Sequence, residues 1–200
     1  MGQKKRPLFL LRFNTARASA LKAWSVFLVL AALLVWALPL DAKVFSTRDE
    51  ALARAFPGLE IQKESVFLKD SDLDEIEKAS GVRPGSKLFT YYAARGKAGI
   101  EGYAVIESHV VRTKPEAYMA VISPGGELRY VEILAFYEPL EYIPSKRWLD
   151  QFRGKRLSES LWINRDIQAI TGATLTAFGL TREVRKTLAT MEIAVPGGMR

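Results

Sequence analysis

The feature that most constrains this chain is the run from Ala23 to Leu40, AWSVFLVLAALLVWALPL, eighteen residues without a charge. Lys4, Lys5, Arg6, Arg12, Arg17 and Lys22 precede it, and Asp41 and Ala42 follow it. An apolar run of this length with no polar face suits lipid better than a globular surface, so it reads as a signal peptide or a short transmembrane anchor. Lys and Arg stay on the cytoplasmic side, and both readings therefore export residues 43–200 to the periplasm or the outer face of a cell membrane. Leu40 is larger than the small residue favoured two positions before a cleavage point, which favours a retained anchor over residues 23–40.

Most of the formal charge of +7 belongs to the leader. Without its six basic residues and one acid, the remainder holds 23 Lys and Arg against 21 Asp and Glu. A nucleic-acid-binding body loses its electrostatic support on that count. The chain has no cysteine, so disulfides, thiolate metal sites and thiol catalysis are excluded.

Beyond the leader (1–42), the pattern predicts a helical lead-in with one strand over 43–86 and a second segment over 87–192, together one globular unit. Ser46 to Phe56 carries a helix start signal and helical apolar spacing, and Pro57-Gly58 stops it. Leu59 to Phe67 alternates as a strand does. Leu68 to Ser80 returns to helix, with Asp70 or Ser71 as cap and Leu73, Ile76 and Ala79 on one face. Lys87–Ala94, Gly102–Arg112, Ala117–Ser123 and Glu127–Ala135 are β-rich segments joined by short turns, which predicts an antiparallel meander. A short helix over Ser145–Phe152 places Trp148, Leu149 and Phe152 inward, and a long helix begins near Thr174. Without βαβ alternation the fold class is α+β, an antiparallel sheet meander flanked by helices. Neither GxGxxG nor GxxxxGK[ST] occurs.

The chemistry concentrates in Asp166 to Thr176, DIQAITGATLT, which runs directly into helical periodicity. Thr171, Thr174 and Thr176 set three hydroxyls around Gly172 and Ala173, where unpaired amides and the positive end of a helix dipole would receive an anionic phosphate. The plain alternative makes Thr171 or Thr174 an N-cap and Gly172 a turn residue, with Thr176 and Thr181 on the helix surface.

The run Thr171-Gly172-Ala173-Thr174-Leu175-Thr176 resembles the [ST]-G-A-T-x-[ST] signature of the FMN-binding domain family, which includes flavin-carrying subunits of the sodium-pumping quinone reductase and of the related ferredoxin-oxidising complex. The strands over 102–135, Phe136-Tyr137-Glu138-Pro139 and Trp148 to Lys155 follow in that family's order, so the likeness covers about residues 90–190. It implies FMN joined through its phosphate to the Thr174 oxygen by a separate flavin transferase, with Thr171, Gly172, Ala173 and Thr176 around it. The chain departs from the family at Gln168, where an acid is usual, with Asp166 two positions earlier, and at Glu138-Pro139-Leu140, which stands for Glu-Thr-Pro-Gly.

Other residues carry weaker expectations. Phe136 and Tyr137 could stack on a flavin ring; Arg112 and Lys114 could hold its phosphate or carbonyl edge. His109, the only histidine, has the pKa of a general base and could touch a cofactor, but an ordinary sheet position is the favoured reading. The expected function is an extracytoplasmic FMN-carrying electron-transfer protein that relays electrons between a membrane donor and an extracytoplasmic acceptor. The alternatives are an FMN-dependent reductase of a small acceptor, and a flavin-free anchored binding module of the same fold.

Overall fold

The computed structural model describes residues 43–195 and Met199. The apolar run 23–40 lies outside the described residues, and among those described no helix is long and apolar enough to cross a membrane. The described residues form one compact unit.

Six strands make one antiparallel sheet: β1 (Lys43–Val44), β2 (Glu60–Phe67), β3 (Leu88–Gly96), β4 (Gly99–Val110), β5 (Pro115–Ile122) and β6 (Leu128–Phe136). The spatial order is β1-β6-β5-β4-β3-β2, so β2 to β6 form a meander and β1 caps its far edge. Residues 43–86 are thus built into the same sheet as the later segment. Four α-helices complete the unit: α1 (Arg48–Ala55), α2 (Asp70–Ser80), α3 (Lys146–Leu149) and α4 (Thr174–Ala194).

Strand alternation divides the buried residues between the two faces of the sheet. On β5, Tyr118, Ala120 and Ile122 join the larger core with Ile76 of α2, Phe152, and Leu180, Val184 and Leu188 of α4. Met119 and Val121 face the smaller core, where α1 places Ala51 and Leu52, followed by Phe56. Phe56 reaches its seat because Gly102 lacks a side chain: a Cβ there would lie 2.9 Å from the Phe56 ring and 3.1 Å from the Ile122 carbonyl oxygen.

Helix starts follow local chemistry. Thr47 caps α1 in a reciprocal box with Glu50, accepting the Glu50 amide at 3.3 Å while the Glu50 carboxylate accepts that of Thr47 at 2.9 Å. For α2 the expected caps do not act; the Asp72 carboxylate accepts the Lys69 amide at 2.8 Å instead. The inward residues of α2 are Leu73, Ile76 and Ser80, and Ala79 is exposed. Ser80 is tolerated there because its hydroxyl donates to the Ile76 carbonyl at 2.7 Å.

One buried cation fixes α4 against the rest. Arg185 donates from Nε to the Ser80 carbonyl at 2.9 Å, from Nη2 to the Ala79 carbonyl at 3.1 Å, and from Nη1 to the Ser158 carbonyl, with its guanidinium 4.3 Å from the Trp162 ring centre. Ala79 and Ser80 end α2, where free carbonyls favour a positive partner. Replacing Arg185 with Ala is expected to cost about 3 kcal/mol, because several buried carbonyls lose their donor together. The urea midpoint of the chain in mild detergent reads this loss, and Arg185→Lys should recover only part of it.

Candidate functional site

The threonine-rich segment lies where the sheet's β4–β5 end meets the start of α4. Gly172 adopts a φ of +83°, which allows the sharp entry, and Ala173 rather than a threonine occupies the N-cap. No side chain caps this helix, so neither Thr171 nor Thr174 is the N-cap. Thr174 is the first helical residue and exposed; its hydroxyl makes only a 3.3 Å bond to the Ile170 carbonyl. The opening amides of a 21-residue helix therefore lack a side-chain acceptor.

An open cleft of about 270 Å³ adjoins this hydroxyl, lined by Arg112 and Tyr142 on one side and Gly172 to Thr176 on the other. The Arg112 guanidinium sits 5.0 Å from the Tyr142 ring centre, which holds a positive charge at the cleft wall. Thr176 is not a helix-surface residue: it is 1% exposed, and its buried hydroxyl has no hydrogen-bond partner. Thr181 is also buried, with its hydroxyl returned to the Ala177 carbonyl. Beside the cleft, Leu175 and Phe178 expose apolar side chains, and Phe178 stacks on Trp162 with ring centres 6.1 Å apart.

Glu138 acts one layer away. Its carboxylate accepts the Thr113 amide at 2.7 Å and the Lys114 amide at 2.8 Å, which fixes the turn carrying Arg112. Those bonds, the Thr113 amide first, hold its carboxyl below the usual range. Lys114 contributes its backbone here, while its side chain is exposed and is not part of the cleft wall. Phe136 is fully buried in the larger core and offers no stacking surface. Tyr137 is half-buried and does not line the cleft, where Tyr142 stands instead. Asp166 pairs with Lys155 at 3.4 Å and accepts from the Ser160 hydroxyl, and Gln168 is held through its backbone by Gln151 and Trp148.

His109 is also absent from the cleft wall. It lies under Gly179 of α4, where an added Cβ would come within 3.2 Å of its Nε2, and both ring nitrogens are buried without partners. Burial lowers its pKa, with Glu183 opposing. Directly across the β4–β5 ladder stands Glu116, fully buried, with neither carboxylate oxygen hydrogen-bonded. Burial raises its pKa to about 8. The sequence signal was present: Glu116 shares the inward phase of Tyr118, Ala120 and Ile122, where an acid has no ordinary place.

No protein-family model and no curated protein matches this sequence. Gly172, Ala173, Thr174, Thr176 and Arg112 line one cleft, and Thr171, Phe136, Tyr137, Glu138 and His109 are not part of its wall.

The raised value at Glu116 has a definite stability sign. The folded state keeps a proton that the unfolded chain releases above the ordinary value of 4.5, so the contribution is present below that pH and is lost as pH rises toward 8. Glu116→Gln should abolish this loss, which is at most about 1.4 kcal/mol per pH unit. Urea midpoints at about pH 5 and about pH 8 test it: the variant should gain on the wild type at the higher pH.

Proposed function

We propose that this chain is an extracytoplasmic electron-transfer protein that carries FMN, joined through its phosphate to the Thr174 oxygen by a separate flavin transferase. The observation that carries the reading is an exposed threonine hydroxyl on the first residue of a long helix with no side-chain cap, opening into a cleft with Arg112 on its wall. The residues fit a phosphodiester: the uncapped amides and the Arg112 cation offset its single negative charge, and the Thr176 hydroxyl in the cleft lining has no other partner. The likeness of Thr171 to Thr176 to the FMN-binding signature supplies the rest.

Bound FMN would provide one- and two-electron transfer. The chain's own residues have separate tasks. Thr174 supplies the attachment oxygen, and Gly172, at a φ of +83° that favours glycine, makes the turn into the helix that carries it. Arg112, steadied by Tyr142 and by the Glu138-held turn, offsets negative charge in the cleft. Leu175 and Phe178 present apolar surface next to the attachment point.

A carrier is favoured over a reductase with its own substrate pocket, because the cleft beside Thr174 is small and open. The larger cleft, about 610 Å³, is lined by other residues, among them Phe45, Tyr130, Ile143 and Arg153. In this reading residues 23–40 hold the protein at the membrane, a membrane donor delivers electrons, and an extracytoplasmic acceptor removes them.

Co-expression of the full chain with a flavin transferase should add the mass of one FMN moiety at Thr174 and leave the denatured, washed protein yellow. Thr174→Ala should lose the added mass and all of that colour. Undiminished colour in the denatured Thr174→Ala protein would refute attachment at this residue.

A further inference from the structure

Two buried polar side chains without partners, His109 and Glu116, lie just behind the cleft on one rung of the β4–β5 ladder. Alternation puts both on the sheet face covered by α4: the His109 ring meets Tyr118 edge-on at 6.0 Å, and Glu116 is two residues from Tyr118 on the same strand. The His109 ring occupies the space left by the missing side chain of Gly179, and Thr176, one turn earlier, lines the cleft. A helical turn is about 5.4 Å, so the imidazole lies within reach of any charge set down at the start of α4.

The charged groups around the imidazole are specific. Its own strand contributes Glu107, β5 contributes Glu116 and Tyr118, and α4 contributes Glu183 and Lys186. Lys186 bridges Glu107 at 3.1 Å and also pairs with Glu183, so two carboxylates share one ammonium. Glu116 holds its own proton near neutral pH, and the imidazole is neutral there because burial outweighs the nearby acid. The network thus has room for one more positive charge, and the only basic atoms without a partner in it are the ring nitrogens of His109.

We propose that His109, opposite Glu116 on the β4–β5 ladder and beneath the first turns of α4, is a buried proton acceptor that takes up one proton from solvent when negative charge arrives in the cleft at Thr174. This inference rests on the electron-carrier reading for its biological use: an electron supplied by the membrane donor is matched by a proton on the His109 ring, and both leave on reoxidation. The chemistry is a single acid–base step, neutral imidazole plus a solvent proton giving imidazolium, with no bond broken elsewhere. A unit charge about 10 Å away, at an effective dielectric of about 20, raises an imidazole pKa by about one unit. That is enough to carry a depressed value back toward neutrality.

Because His109 is the only histidine, its ring nitrogens can be followed alone by NMR in the full chain, purified in detergent with a histidine-free tag and labelled at histidine with nitrogen-15. The flavin-free protein should show a neutral ring at pH 7 and a pKa below about 6.5. In the flavinylated protein, chemical reduction should raise that pKa by about one unit or more. Glu116→Gln, neutral and of the same shape, should leave the rise intact below pH 7. An unchanged His109 pKa between oxidised and reduced protein overturns the proposal, as does loss of the rise in Glu116→Gln. If mass analysis finds no flavin on Thr174, the electron-carrier reading fails separately. Inorganic phosphate then serves as the charged probe: a His109 pKa that rises with phosphate but not with chloride at equal ionic strength supports the proton acceptor, and one that stays fixed overturns it.

Discussion

The placement of α4 across the sheet governs the rest of this structure, and Arg185 fixes it. A guanidinium buried among carbonyls from the end of α2 and from the 158–161 segment joins three parts of the chain at one point. Ion burial is costly, and it is tolerated because these carbonyls point at the cation while Trp162 covers its face. Near the Arg185 end of the helix, Thr187 shares a 2.8 Å hydrogen bond with the Tyr118 hydroxyl beneath the sheet. With that half fixed, the opposite end of α4 has one position relative to the β4–β5 turn, and the cleft at Thr174 is the space between them.

Two glutamates near this cleft behave oppositely for reasons visible in their surroundings. Glu138 receives backbone amides and remains a carboxylate; Glu116 receives nothing and keeps its proton. A hydrogen-bonded acid can organise a turn, as Glu138 does for Arg112. An acid stripped of donors stores a proton instead.

Much of the fold was legible in the sequence because alternation and turn chemistry act locally. The meander, the Thr47 start of α1, the inward Trp148, Leu149 and Phe152, and the opening of α4 at Thr174 all follow from neighbours in the chain. What was not legible depends on tertiary packing. Thr176 and Thr181 carry polar side chains on a helix, and only the sheet beneath them makes them interior. Phe136 looked available for stacking because an aromatic residue after a strand gives no sign of which layer it enters. The Asp72 carboxylate at the start of α2 displaced the nearer Asp70 and Ser71 as the acceptor, a choice set by the exact path of the backbone. Glu116 could have been found by phase alone, since its strand positions the acid with the apolar set.

The rooting of Thr174 in α4 has a mechanical side. A side chain at the tip of a loop swings with the loop, but this one grows from a rod whose far half is clamped into the core. Threonine is branched at Cβ, so its first torsion is stiff as well. A group attached to that oxygen would move only through the few torsions of its own linkage, and its distance to anything approaching from outside would be set by the body of the protein.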